Sequence, residues 1–164
     1  MMDIPDAAKL WKQALRAKWP EVRWSVRSAP RGWACVVTAW QDGPTFNTVA
    51  TFCYQWRKAN PDAAHWLLPS GLQRTYSPAG YAVVIDSIAR DIPDMSIPRT
   101  PDGGLDQRAA RAGTWDGPVR VGSQWYGHEH TYDLVAIVEF VAASHDYTTP
   151  PAATPTAPDQ HTPR

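Results

Sequence analysis

The sequence predicts an α+β fold, a small antiparallel sheet packed by helices on one face, with the order α-β-β-α followed by weaker β elements and a C-terminal helix. Three observations in this 164-residue chain lead there. Apolar residues recur at three- and four-residue steps across residues 4–18, as on one face of an amphipathic helix. Residues 22–28 read VRWSVRS, in which Val22, Trp24 and Val26 alternate with Arg23, Ser25 and Arg27, the period of a half-buried strand. A second apolar run, WACVVTAW, follows a short Pro/Gly connection and leads through Asp42-Gly43-Pro44-Thr45 into another stretch of helical spacing. An antiparallel hairpin leaves one sheet face polar, so the helices are expected on the other.

The first helix is built on Ile4, Ala7, Ala8, Trp11, Ala14 and Leu15, with Asp3 as N-cap, Pro5 tolerated in the first turn and Pro20 blocking continuation. Strands are expected at about 22–28 and 33–40. The intervening Ser28-Ala29-Pro30-Arg31-Gly32 is rich in turn formers and pairs them as a hairpin. Phe46, Val49, Cys53 and Trp56 place a second helix from Thr45 to about Lys58, ended by Asn60-Pro61. Next, LQRTY and YAVVIDSIA flank Ser77-Pro78-Ala79-Gly80 and read as another hairpin. Pro and Gly crowd 92–117, predicting an irregular loop with one short helical piece near Leu105–Ala112. A short strand at Val119–Val121 and a closing helix from Tyr132 to Ala143 complete a single domain over 1–146. From 147 to 164 the composition turns to Thr, Pro and Ala, and this tail is expected to be disordered.

Composition narrows the function classes. Cys35 and Cys53 have neither C-x-x-C spacing nor a disulfide pattern, and their places in apolar runs predict buried thiols of raised pKa. The N-terminus lacks the apolar region of a signal peptide, and no run approaches a membrane span, so the expectation is a cytoplasmic chain with no membrane partner. The formal net charge is zero, yet Lys and Arg outnumber Asp and Glu by 9 to 4 in residues 1–60 and are outnumbered 7 to 12 in residues 61–164. Asymmetry of this kind points to a basic face in the first part of the chain.

The segments LRAKWPEVRWSVRS and WACVVTAWQDGPT, with Trp19-Pro20, the FSVRS-like Trp24–Ser28 and the WxDGPT-like Trp40–Thr45, resemble the large polyvalent protein-associated domain of type 29. The likeness lies mainly in residues 8–58 and extends to Tyr81–Asp91 as a further strand. Members of that family sit in phage- and plasmid-encoded polyvalent proteins as small α+β accessory domains. The resemblance therefore implies a mobile-element context and brings no catalytic residues. Family members continue after the second helix with a stretch resembling FDGM, where this chain has NPDAAHWLLPSG at 60–71.

Candidate sites follow from residue types. Arg16, Arg23, Arg27 and Arg31, with Lys18, form a predicted cationic stripe; interleaved with Trp24, Trp33 and Trp40 it has the makings of a nucleic-acid surface, charges on phosphates and indoles on bases. A solvated sheet face with ordinary arginines explains the same pattern, and the neutral pI of about 7.0 is not that of a strongly basic domain. His128-Glu129-His130 puts two imidazoles on one face if extended, the basis for a rival reading as a metal-dependent hydrolase using His128 and His130. H-x-H spacing is common, so no metal, cofactor or catalytic residue enters the preferred reading. Asp42–Thr45 reads as backbone engineering, with turn residues, a proline and a cap. The expected protein is a non-enzymatic accessory or interaction module whose partner is nucleic acid or, alternatively, a host protein. Nothing in the sequence fixes its oligomeric state.

Overall fold

The computed structural model describes residues 2–29, 35–126 and 131–148. Arg31, Trp33, the His128-Glu129-His130 motif and the tail from 149 onward lie outside the described residues.

The chain opens with helix α1 (Ile4–Lys18), the span the spacing predicts. Asp3 caps it by accepting from the Asp6 amide, and Ala7, Ala8, Trp11 and Leu15 are its buried face. Strands β1 (Trp24–Ser28) and β2 (Val36–Gln41) pair antiparallel, with Trp24 opposite Trp40 and Ser28 opposite Val36. Helix α2 (Phe46–Ala59) starts from Thr45, whose hydroxyl accepts from the Thr48 amide, so Thr45 is the cap expected and Pro44 precedes it rather than entering the first turn. Two short 3-10 turns, Ala64–Trp66 and Pro69–Gly71, lead into β3 (Leu72–Thr75).

Strand β3 pairs parallel to β2, so the sheet is mixed, in the order β1-β2-β3. A parallel neighbour needs a crossover, and α2 supplies it. The crossover brings α2 to the face that α1 already covers: Trp11 contacts Phe52 and Trp56 at 5.5 and 5.3 Å, and Trp19 meets Phe52 edge-on at 5.2 Å. On the other face Ser25, Arg27, Gln73 and Thr75 are exposed. The expected division into a helix-covered face and a wet face therefore holds for this sheet.

The second predicted hairpin does not form. LQRT is β3, but YAVVIDSIA belongs to helix α3 (Pro78–Asp91), which also removes the further strand expected at Tyr81–Asp91. Ser77 caps α3 by accepting from the Gly80 amide, Pro78 sits in the first turn, and Val84, Ile85 and Ile88 are buried at helical spacing. The run of β-branched residues concealed those signals, because local propensity yields to capping and packing.

The remaining elements are α4 (Gln107–Ala112), β4 (Thr114–Asp116), β5 (Val119–Val121), β6 (Gln124–Tyr126), β7 (Thr131–Asp133) and α5 (Leu134–Ser144). Strands β4 and β7 pair antiparallel, as do β5 and β6. The short helix, the strand at Val119–Val121 and the closing helix match expectation, while β4, β6 and β7 do not appear in the sequence reading. The Pro/Gly-rich stretch is anchored by buried Met95, Ile97 and Leu105.

Two hydrophobic clusters result. One gathers Trp11, Leu15, Trp19, Trp24, Trp40, Val49 and Cys53 between α1, α2 and the sheet. The other gathers Val84, Ile85, Ile88, Ile137, Val138 and Val141 between α3, α5 and the two small hairpins.

Candidate functional site

The cationic residues proposed from sequence are only partly brought together. Arg16 is exposed in the last turn of α1, where its charge also complements the helix C-terminus. Arg23 is exposed in the extended approach to β1, and Arg27 is exposed on the wet face of β1 itself. Arg16 and Arg23 line one open groove of about 480 Å3, with Pro20, Val22 and Trp24 as its apolar floor. Arg27 does not line it. Among the described residues the ion pairs are Arg90 with Asp91 and Arg99 with Asp86, so none of the three candidate guanidiniums is neutralised by a carboxylate.

Of the indoles proposed from sequence, Trp24 and Trp40 are not available as stacking platforms. Trp24 and Trp40 are 6% and 2% exposed, 5.5 Å apart, and packed into the first core. Their ring N–H groups are spent internally, Trp24 donating to the Trp19 carbonyl at 3.3 Å and Trp40 to the Pro44 carbonyl at 3.0 Å. Trp11 likewise donates to the Thr38 hydroxyl at 3.0 Å, satisfying the one polar side chain buried in that core. The Arg/Trp face expected from sequence is thus an arginine face over a tryptophan core.

Both cysteines are buried and free. Burial pushes the Cys53 thiol up, against the smaller opposing effect of the Arg57 cation, the environment of an inert packing thiol. Among the described residues no cluster of three His, Cys, Asp or Glu could hold a metal ion. No helix among them is long and apolar enough to cross a membrane.

A second constellation, which sequence reasoning missed, lies where the two cores meet. Asp42 and Gly43 adopt left-handed backbone with φ of 53° and 60°, strained for an Asp and natural for a Gly. The turn aims the Asp42 carboxylate at the start of α3, where it accepts from the Ser77 amide at 3.0 Å and the Ser77 hydroxyl at 2.6 Å. Gly80 is needed there: a Cβ would fall 2.1 Å from the Asp42 carboxylate. Arg74, from β3, reaches through the junction. It donates to the carbonyls of Asp42 (3.0 Å), Gly43 (2.8 Å), Ala142 (3.2 Å), Ala143 (3.1 Å) and His145 (2.6 Å). Its guanidinium therefore closes the orphan carbonyls at the C-terminus of α5 and the exposed carbonyls of the turn together. Tyr147 completes the junction, its amide donating to the Gly43 carbonyl and its hydroxyl to the Gly80 carbonyl. Burial, then the Asp42 carboxylate, pushes the Tyr147 phenol up, while burial and then the Arg74 cation hold His145 below the usual imidazole range. Asp42-Gly43 was visible in the sequence as a turn. Arg74, a polar residue in a short alternating strand, carried no signal of this role.

The first layer is a small α+β unit, a helix-covered sheet with exposed arginines, extended by a second layer. Comparison makes the first part specific: residues 2–68 match the family model for large polyvalent protein associated domain 29, and this segment is similar to that domain. No curated protein and no solved structure matches the chain. The matched segment holds nearly all of the first core but stops before β3, which completes its sheet.

Proposed function

We propose that this protein is a non-enzymatic interaction module of a mobile genetic element, phage or plasmid, that docks an anionic partner along the Arg16/Arg23/Arg27 edge of its first sheet. One observation carries the reading: Arg16 and Arg23 line one groove at the start of β1 and Arg27 is exposed further along the same strand, all three free of carboxylate partners among the described residues and all within the segment similar to the polyvalent-protein domain. Unpaired cations at one edge favour encounter with a negatively charged surface. Burial of Trp24 and Trp40 takes those two rings out of base stacking, which favours a protein partner over nucleic acid. Nucleic acid held by phosphate contacts alone is the second reading, supported by the same three arginines.

Titration of fluorescent anionic probes, a polyglutamate peptide and single- and double-stranded oligonucleotides, against the parent protein and the Arg16→Glu/Arg23→Glu/Arg27→Glu variant tests this function. The parent is expected to bind at least one probe with an affinity that falls as salt rises, and the variant to bind none. Equal binding by parent and variant, or no binding of any probe at low salt, overturns it.

A further inference from the structure

The hydrogen-bond register of the first sheet singles out one strand edge. Ala29 continues the register opposite Cys35, and its amide donates to the Cys35 carbonyl at 2.9 Å, which marks that pair as a hydrogen-bonded position of the ladder. Bonded and non-bonded pairs alternate along an antiparallel ladder. Arg27 opposite Val37 and Ser25 opposite Ala39 are therefore the bonded pairs, and the N–H and C=O groups of Trp24, Val26 and Ser28 point away from β2. Strand β1 is an outer strand of the sheet, and among the described residues no other backbone group pairs with these outward amides. An outer strand with free main-chain groups is a template for a further strand. The strand is short, WSVRS, but it has no proline and no lysine, and its one charge, Arg27, lies on the exposed sheet face.

What could occupy the edge is set by its surroundings. The groove lined by Arg16 and Arg23, with an apolar floor of Pro20, Val22 and Trp24, opens at the start of the strand, and Arg27 stands further along. A second copy of the chain, paired β1 to β1, would set like charges against one another. An extended peptide with acidic residues meets those cations and leaves its backbone free to pair. From this geometry we infer that β1 takes an extended acidic segment of a partner protein by β-strand addition, main-chain bonds forming at Trp24, Val26 and Ser28 and a carboxylate seating between Arg16 and Arg23. The inference rests on the function proposed above and names its partner. In this mode backbone pairing supplies affinity and the groove supplies specificity.

The test uses amide hydrogen exchange, followed by NMR, on the full chain with a labelled peptide of alternating Glu and Val residues. In the free protein the Trp24, Val26 and Ser28 amides exchange quickly and those of Ser25 and Arg27 slowly; the peptide selectively slows the first three. A Lys/Val peptide of equal length does not bind. Ser28→Pro removes one outward donor at an exposed position and weakens the Glu/Val peptide roughly tenfold or more. Arg16→Glu/Arg23→Glu, two surface changes, does so without touching the backbone. Peptide binding that leaves the three amides unprotected overturns strand addition. An oligonucleotide that binds where the peptide does not also overturns it, while leaving the anionic edge in place; failure of every anionic probe removes both. Protection of those amides in a free protein that sediments as a dimer identifies a second copy as the occupant and overturns the acidic-peptide assignment.

Discussion

The two cores of this molecule are made of different material. The first is dominated by indole: Trp11, Trp19, Trp24 and Trp40 are buried, with Trp56 and Trp66 packed against them. The second has an aliphatic interior, Val84, Ile85, Ile88, Ile137, Val138 and Val141, with aromatics such as Tyr81, Trp115 and Tyr132 packed around it. An indole brings a directional N–H that seeks a partner when buried, and four of these six rings are tied in that way: Trp11 to Thr38, Trp24 to Trp19, Trp40 to Pro44 and Trp66 to Met2. Valine and isoleucine carry no such address. Their layer takes its position from outside, through Arg74 and Asp42 at the junction, where hydrogen bonds from β3 and the β2–α2 turn fix the C-terminus of α5 and the N-terminus of α3. The first layer is specified by its indoles, whereas the second adds the junction bonds to a few of its own, such as the Gly122 amide on the Asp91 carboxylate at 2.6 Å and Tyr126 with Ser144.

The largest effect is expected where the first core is opened. Trp24→Ala removes a ring that touches both Trp19 and Trp40 and is expected to destabilise the protein by about 3–5 kcal/mol in denaturant unfolding. A loss under about 1 kcal/mol would mean that the indole is not an anchor. Next comes the junction. Arg74→Met keeps most of the aliphatic stem and deletes the donors to five carbonyls, for an expected loss on the order of 2–3 kcal/mol.

Much of the first layer was legible because its signals are local. Apolar spacing and Asp3 fixed α1, strict alternation placed Trp24 inside and Arg27 outside, and Thr45 announced α2. The second layer was less so. A run of β-branched residues in YAVVIDSIA imitates a strand, and only Ser77-Pro78 betrays the helix. Strands β4, β6 and β7 are each three residues long, too short to show a period. The parallel placement of β3 depends on where a crossover lands, which no local pattern encodes. The candidate site divides in the same way. Exposure of Arg16, Arg23 and Arg27 was readable from periodicity, but the role of Arg74 exists only once residues 142–145 lie beside β3.

Acid should separate the two layers further. His145 is held below its ordinary value, so the folded state binds fewer protons than the unfolded chain wherever the unfolded imidazole titrates. Stability that is full above about pH 6.5 is then lost as pH falls toward the folded-state value. Thermal melts from pH 7.5 to 5 are expected to show a falling midpoint, and His145→Asn to flatten part of that slope. A midpoint that rises over this interval would contradict the sign. The smallest effect is expected at the binding edge. Arg23→Ala with Arg27→Ala should change stability by no more than about 0.5 kcal/mol, because both side chains are exposed and make no ion pair among the described residues. A larger loss would assign them a structural role instead.

If Arg74 and Asp42 join the two cores as their hydrogen bonds indicate, the cores unfold as one unit. Native-state hydrogen exchange in increasing denaturant measures this directly, comparing amides of α1 such as Leu15 with amides of α3 and α5 such as Ile88 and Val138, all buried. In the parent protein the three are expected to merge at one opening free energy. In Arg74→Met, Ile88 and Val138 should open at lower cost while Leu15 keeps the higher value. Separate opening energies in the parent, or a merged set in Arg74→Met at the parent's value, would contradict the claim.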